Sequence, residues 1–263
     1  MTARLRILTL FLLAGVFVAR GQDLRTGVAT PDGFLAAGEY LAWLDADGNV
    51  LRNRPLERPL TALAAADGRF FAVDADGRAV LELDAAGAVV SRDKPPVKGR
   101  LRALSGHGST LWAVTDAGEI AHRDLASRWA VFDFNAAYDG FYPRMEFRAV
   151  AAGLGSVMVA GLCPDGTPAA YTSARGTVWS ERTLDYTEEG HPAVFTAEPR
   201  SLSYDAMQDR FYLVGGDGEL ALPGCSHCNS LTRYPGRTLY ARIPAGSGTL
   251  LLGSDGFIRK VDR

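Results

Sequence analysis

The feature that most constrains this chain is a spelling that returns along its length. Leu60-Thr-Ala-Leu63 is followed by Arg69-Phe-Phe-Ala-Val73, then Asp76-Gly77, then Ala79-Val-Leu-Glu-Leu83. The same order returns in Leu101-Arg-Ala-Leu104, Thr110-Leu-Trp-Ala-Val114, Asp116-Ala-Gly118 and Glu119-Ile-Ala-His-Arg123. It returns again from Phe147-Arg-Ala-Val150, from Pro199-Arg-Ser-Leu202 and from Thr238-Leu-Tyr-Ala241, with Asp165-Gly166, Asp217-Gly218 and Asp255-Gly256 at the corresponding turns. Copies roughly 40 to 55 residues apart have the period of propeller blades. Within each, short apolar runs alternate with Asp-Gly and Gly-rich turns, which favour tight hairpins. Almost no stretch carries a helical apolar period over ten residues. The expectation is an all-β propeller rather than a β-sandwich.

Five copies predict five blades. The last copy ends after three strands, and Tyr40-Leu-Ala-Trp-Leu-Asp-Ala-Asp-Gly-Asn-Val-Leu-Arg52 matches the third and fourth strands of the next copy. The N-terminal segment is therefore expected to complete the last blade and so remove an exposed sheet edge. Six blades follow instead if residues 28–54 build a blade of their own. Residues 22–263 read as a single propeller domain.

Ahead of it, residues 1–21 have the pattern of a secretory signal peptide. Basic Met1-Thr2-Ala3-Arg4-Leu5-Arg6 precedes a run that is apolar from Ile7 to Val18 save Thr9 and Gly15, and Ala19-Arg20-Gly21 has small residues at the cleavage positions. The run is too short for a membrane span, which needs ~20 residues. Three of the 28 basic residues and none of the 30 acidic ones lie in residues 1–21, leaving 25 against 30. That balance argues against a nucleic-acid partner and against an anionic membrane surface, both of which favour a basic stripe. A secreted or periplasmic monomer without membrane insertion is expected, and no cofactor.

Cys225-Ser226-His227-Cys228 has the spelling of a thioredoxin-type redox site. Such a site needs its first cysteine at a helix N-terminus, where the dipole favours the thiolate. Here Pro223-Gly224 precedes the pair and Pro235-Gly236 follows soon after, leaving little room for a helix. A structural zinc site needs about four ligands, and no second Cys-x-x-Cys is present. In an oxidising compartment the pair reads best as a local disulfide between Cys225 and Cys228 closing a hairpin. Cys163 is left over as a free thiol packed as a small apolar residue.

Ser173-Ala-Arg-Gly176-Thr-Val-Trp179 resembles the Asp-box of BNR-type propellers, a Ser-x-Asp-x-Gly-x-x-Trp turn between the third and fourth strands of a blade. Ser, Gly and Trp recur in order and Arg175 stands where that family has aspartate, with one residue fewer between Ser and Gly than in the motif. In that family the box is a folding feature remote from the active site. Together with Val131-Phe-Asp-Phe-Asn135 through Tyr142 and the Cys225–Cys228 hairpin, it makes the chain similar to a group of secreted bacterial propeller proteins without an assigned activity.

The acids that recur at the turns between second and third strands, Asp76, Asp116, Asp165, Asp217 and Asp255, read as turn formers rather than as a catalytic or cation-binding ring. Asp45-Ala-Asp47-Gly-Asn49 reads as a hairpin, since a calcium loop needs a later glycine and a terminal glutamate. Two connections between blades are long, residues 133–146 and 185–198, and they flank the third of the five expected blades. On one face they would present Asp133, Tyr138, Phe141, Tyr142, Arg144, Tyr186 and His191, a composition suited to a glycan or an extracellular protein. The alternative is that the aromatic rings pack down over the channel.

The leading functional expectation is thus a secreted, non-enzymatic binding propeller. A glycan-cleaving enzyme would need two carboxyls 5–10 Å apart across a pocket. Asp133, Asp139, Glu146, Asp185 and Glu188 are available, but no pattern selects a pair. A structural part of an envelope complex is the third reading.

Overall fold

Tight turns divide the chain into antiparallel sheets that follow one another around an axis. The computed structural model describes residues 23–188, 191–224, 231–246 and 248–262. The first sheet holds β1 (Leu24–Thr30), β2 (Gly33–Gly38), β3 (Tyr40–Leu44) and β4 (Val50–Pro55), paired in that order. The second holds β5 (Ala62–Ala66), β6 (Arg69–Val73), β7 (Val80–Leu83) and β8 (Val89–Asp93). The third holds β9 (Leu101–His107), β10 (Thr110–Thr115), β11 (Glu119–Asp124) and β12 (Ala130–Asp133), and the short helix α1 (Phe134–Ala137) follows it. The fourth holds β13 (Glu146–Gly153), β14 (Ser156–Leu162), β15 (Pro168–Ser173) and β16 (Ser180–Arg182). A separate hairpin, β17 (Asp185–Glu188) and β18 (His191–Val194), leads into the fifth sheet of β19 (Pro199–Asp205), β20 (Arg210–Gly215), β21 (Glu219–Ala221) and β22 (Leu231–Arg233). The sixth has β23 (Leu239–Ala245), β24 (Gly248–Gly253) and β25 (Phe257–Asp262).

The propeller therefore has six blades, which corrects the count of five. Residues 24–55 are a complete blade, and Tyr40–Leu44 and Val50–Pro55 pair with each other inside it. Among the described residues β25 pairs only with β24, so the expected completion of the last blade by Tyr40–Arg52 does not occur. The ring meets through packing instead. Leu24, Phe34 and Ala36 of blade 1 share a core with Ile243, Leu250 and Leu252 of blade 6. The Asp23 carboxylate adds hydrogen bonds from the Tyr240 hydroxyl (3.0 Å) and the Gly256 amide (3.2 Å).

Burial in blade 1 peaks in the second strand, while β1 on the axis is mostly half-buried. Every residue of β2 is buried, whereas β4 is exposed beyond its first residue. Inner and second strands are rich in alanine and glycine because the flat faces of neighbouring blades press together there. Apolar clusters fill the seams between blades 6 and 1, 1 and 2, 2 and 3, 3 and 4, and 4 and 5. The seam between blades 5 and 6 carries a buried ion pair, Arg242 to Asp205 at 2.9 Å, with Ser203 Oγ 3.3 Å from the same guanidinium.

The recurrent aspartates either serve their turns or brace the neighbouring connection, as Asp76 does by pairing with Arg58 at 2.7 Å. Asp217 and Asp255 themselves adopt positive φ, 57° in each. Asp165 accepts from the Thr167 amide at 2.9 Å, and Asp116 from the Arg100 amide at 2.8 Å. Asp45 likewise closes its hairpin by accepting from the Asp47 and Asn49 amides. Two buried glutamates at the start of third strands pin the incoming connection. Glu119 accepts from the Lys98 and Gly99 amides, and Glu219 from the Thr196 and Ala197 amides.

The Ser173–Trp179 turn joins β15 to β16. Ser173 Oγ accepts from the Gly176 amide (2.8 Å) and the Arg175 amide (3.3 Å), and Trp179 Nε1 donates to the Gly176 carbonyl (3.3 Å). Serine thus fastens this turn from the start, and Arg175 contributes only its backbone to it. Gly176 has φ 74°, and a Cβ there would lie 2.5 Å from the Trp112 ring, so a side chain is excluded twice over.

Candidate binding site at the channel mouth

The innermost strands β1, β5, β9, β13, β19 and β23 line the axis, and their first residues open on one face. That face also carries the connections between blades and the turns between second and third strands. In five of these strands the pairing slips by one residue near the start. The residues passed over are Arg25, Arg102, Arg148, Arg200 and Tyr240. Each follows a buried apolar anchor (Leu24, Leu101, Phe147, Pro199 or Leu239). In blade 2, Thr61 holds the matching place in Leu60-Thr61-Ala62, immediately ahead of β5. A bulge bends its strand and re-aims one side chain out of the ladder. Here it turns five side chains into a common hollow at the mouth, which Thr61 also lines, with a volume of about 550 Å³.

Gly38, Glu39, Pro59, Leu60, Glu198, Pro199 and Thr238 complete the wall. Deeper in, the channel narrows to about 70 Å³ between the inner strands, still touching Arg25, Arg102 and Arg200. The mouth is a funnel lined by four guanidinium groups and two carboxylates, in a chain whose overall charge is −2. Three of the four arginines have a carboxylate partner. Arg102 pairs with Asp116 at 2.8 Å, Arg148 with Glu146 at 3.0 Å, and Arg200 with Glu198 at 2.7 Å. Arg25 makes no ion pair among the described residues and lies 5.9 Å from the centre of the Tyr240 ring. Burial, with the Asp23 carboxylate beside it, raises the Tyr240 hydroxyl above its ordinary pKa, so it stands as a donor.

The two long connections lie on this same face, and their side chains divide. Asp133 caps α1 by accepting from the Ala136 amide (3.0 Å) and pairs with Lys98 (3.0 Å). That amide, reinforced by Lys98, holds its carboxyl below the usual range. Tyr138 and Tyr142 turn inward and pack with Phe134 and its neighbours, and the Tyr138 hydroxyl accepts from the Trp179 amide at 2.8 Å. Tyr186 is 3% exposed in the core between blades 4 and 5, and burial raises its hydroxyl. Phe141 is 74% exposed. Arg144 lines a shallower hollow of about 430 Å³ with Lys98, Asp133, Asn135 and Asp139. His191 is exposed at the start of β18. The structure brings Asp133 and Arg144 together but places Tyr186 apart from both, and Glu146 is taken up by Arg148.

Cys225 and Cys228 lie outside the described residues. Cys163 is a half-buried free thiol 3.8 Å from Met145 Sδ, and burial pushes its pKa up. Among the described residues no three His, Cys, Asp or Glu lie close enough together to hold a metal ion, and no helix is long and apolar enough to cross a membrane.

No protein-family model matches the chain, and no curated protein matches it in sequence. Solved structures do match in shape. YCF48 from Cyanidioschyzon merolae has a TM-score of 0.62 at 13% identity, over 94% of this chain and 97% of that one. YCF48 bound to D1 peptide has 0.58 at 12%, over 93% of each. The Pan2 WD40 domain of Neurospora crassa has 0.55 at 11%, over 90% of this chain and 74% of that one. These likenesses, with the six sheets around one axis, establish the fold as a β-propeller.

Proposed function

We propose that this chain is a non-enzymatic binding propeller that recognises a protein partner through the arginine-lined mouth of its channel, in a secreted or periplasmic setting. One observation carries the reading. Four separate blades each place an arginine at the same bulge, so the side chains converge although the strands that bear them are far apart in sequence. Guanidinium groups bind carboxylates with paired hydrogen bonds, and a partly walled funnel strengthens that attraction relative to open water.

A protein partner suits this site better than a glycan. Sugar recognition leans on exposed aromatic faces, and the rings of Tyr138, Tyr142 and Tyr186 are committed to the core. Among solved propellers of this shape, one is YCF48 holding a D1 peptide. Asp133, Phe141 and Arg144 would then form an outer rim beside the mouth. The export signal in residues 1–21 and a Cys225–Cys228 disulfide belong to the same reading.

The test is a peptide array of acidic, neutral and basic extended sequences, probed with the wild-type protein and with an Arg25→Gln/Arg102→Gln variant. Selection of acidic peptides, weakened at least tenfold in the variant, supports the reading. Peptides held equally well by both proteins would move the binding surface elsewhere.

A further inference from the structure

The mouth is not uniformly cationic. Glu198 leaves the β17–β18 hairpin through Phe195 and Ala197, both buried, and its carbonyl accepts from the Gly216 amide at 3.1 Å. So held, its carboxylate sits between two arginines, 2.7 Å from Arg200 and 3.8 Å from Arg148. A ligand anion entering this half of the funnel would have to displace it. In the blade next to that of Arg148, Arg102 is held by Asp116. Charge is therefore matched one for one at Arg102, Arg148 and Arg200, by Asp116, Glu146 and Glu198. The unmatched cation among the described residues of the wall is Arg25, with Thr61 and the Tyr240 ring beside it. Glu39 faces the same hollow from the turn between β2 and β3 and pairs with none of the four arginines.

Resting on the reading of the mouth as a binding site, we propose that it selects a single carboxylate, taken by Arg25, and that Glu198 is a built-in occupant of the second anion position that rejects doubly charged groups such as phosphate. A carboxylate brings one negative charge and two acceptor oxygens, which one guanidinium edge can satisfy. A phosphate dianion brings a second charge into a hollow that already holds Glu198 and Glu39, and like charges at short range repel strongly where water is partly excluded.

The experiment is an NMR titration of the folded chain with acetate and with inorganic phosphate at pH 7.5 and constant ionic strength, read at the Arg25 side-chain Nε–H and the Gly38 amide. Acetate should shift both signals saturably, with phosphate at least tenfold weaker. In Glu198→Gln, phosphate should gain at least tenfold on acetate. In Arg25→Gln, which lacks the Nε–H, the shifts of the Gly38 amide with both ions should vanish while amides of the outer strands keep their positions. Phosphate binding as tightly as acetate in wild type, or a Glu198→Gln variant with unchanged selectivity, overturns the inference and leaves the mouth as an anion site. Loss of neither response in Arg25→Gln, or no saturable shift with either ion, removes the mouth reading itself and the inference with it.

Discussion

Arg242 and Asp205 form an ion pair at 2.9 Å across the seam between blades 5 and 6, with side chains 5% and 0% exposed. The guanidinium also lies 3.7 Å from the centre of the Tyr212 ring. A charge so far from water is tolerable only because its partner and local hydrogen bonds replace the lost hydration. Removing Arg242 takes the opposite charge away from the buried Asp205 carboxylate, which still accepts from the Met207 and Gln208 amides. Arg242→Met should lower stability by about 3–5 kcal/mol. A urea midpoint giving less than about 1 kcal/mol would show that the seam holds without the pair.

Phe134 and Phe141 lie seven positions apart in the same connection and have opposite roles. Phe134 is fully buried and meets the rings of Tyr138, Tyr142, Phe147 and Tyr171 at centroid distances between 4.8 and 5.9 Å. Phe134→Ala should cost about 3–5 kcal/mol, as loss of a core aromatic ring does. Phe141→Ala should stay within about 0.5 kcal/mol, as expected of an exposed side chain. Equal effects in chemical denaturation would contradict the packing of this connection.

His122 stacks on Trp112, with ring centres 4.5 Å apart and planes 27° from parallel. Burial lowers its pKa below the ordinary value near 6.5, against a smaller opposing pull from Asp124. The unfolded chain therefore takes up the proton first as pH falls. His122 should cost the fold nothing above about pH 6.5 and weaken it progressively below that value. In His122→Gln this contribution should be absent. Midpoints measured from pH 8 to pH 5 should converge or cross as the wild type loses ground to the variant. Parallel curves would show that His122 titrates alike in both states.

Much of the architecture could be read from the spelling of its turns, and the miscounted blade shows why that reading is partial. The turn between second and third strands is Asp-Gly or a close variant in five blades, but in blade 1 it is Gly38-Glu39, while Asp32-Gly33 falls at the first hairpin. The strands of blade 1 are ordinary; its punctuation is displaced. Tyr186 shows a different limit. Its segment reads as a connection between blades, because β17 and β18 are only four residues each, too short for an alternating pattern to declare which side faces the core.

The arginine mouth was present in the copies from which the repeat was recognised. Leu101-Arg-Ala, Phe147-Arg-Ala and Pro199-Arg-Ser align the same residue, and Leu24-Arg-Thr joins them once blade 1 is counted. What the letters could not reveal is that an alternating strand is interrupted there. Strict alternation gives no reason for the residue after a buried leucine to turn toward the axis. Only the slipped register does so.

That slip has an evolutionary consequence. A residue standing outside the ladder can be exchanged without disturbing its neighbours' pairing, so the chemistry of the opening is uncoupled from the integrity of the ring. Five letters, at 25, 102, 148, 200 and 240, make up a rewritable code on a fixed frame. Sister proteins could keep every blade and still answer to neutral, acidic or basic visitors by changing those letters alone.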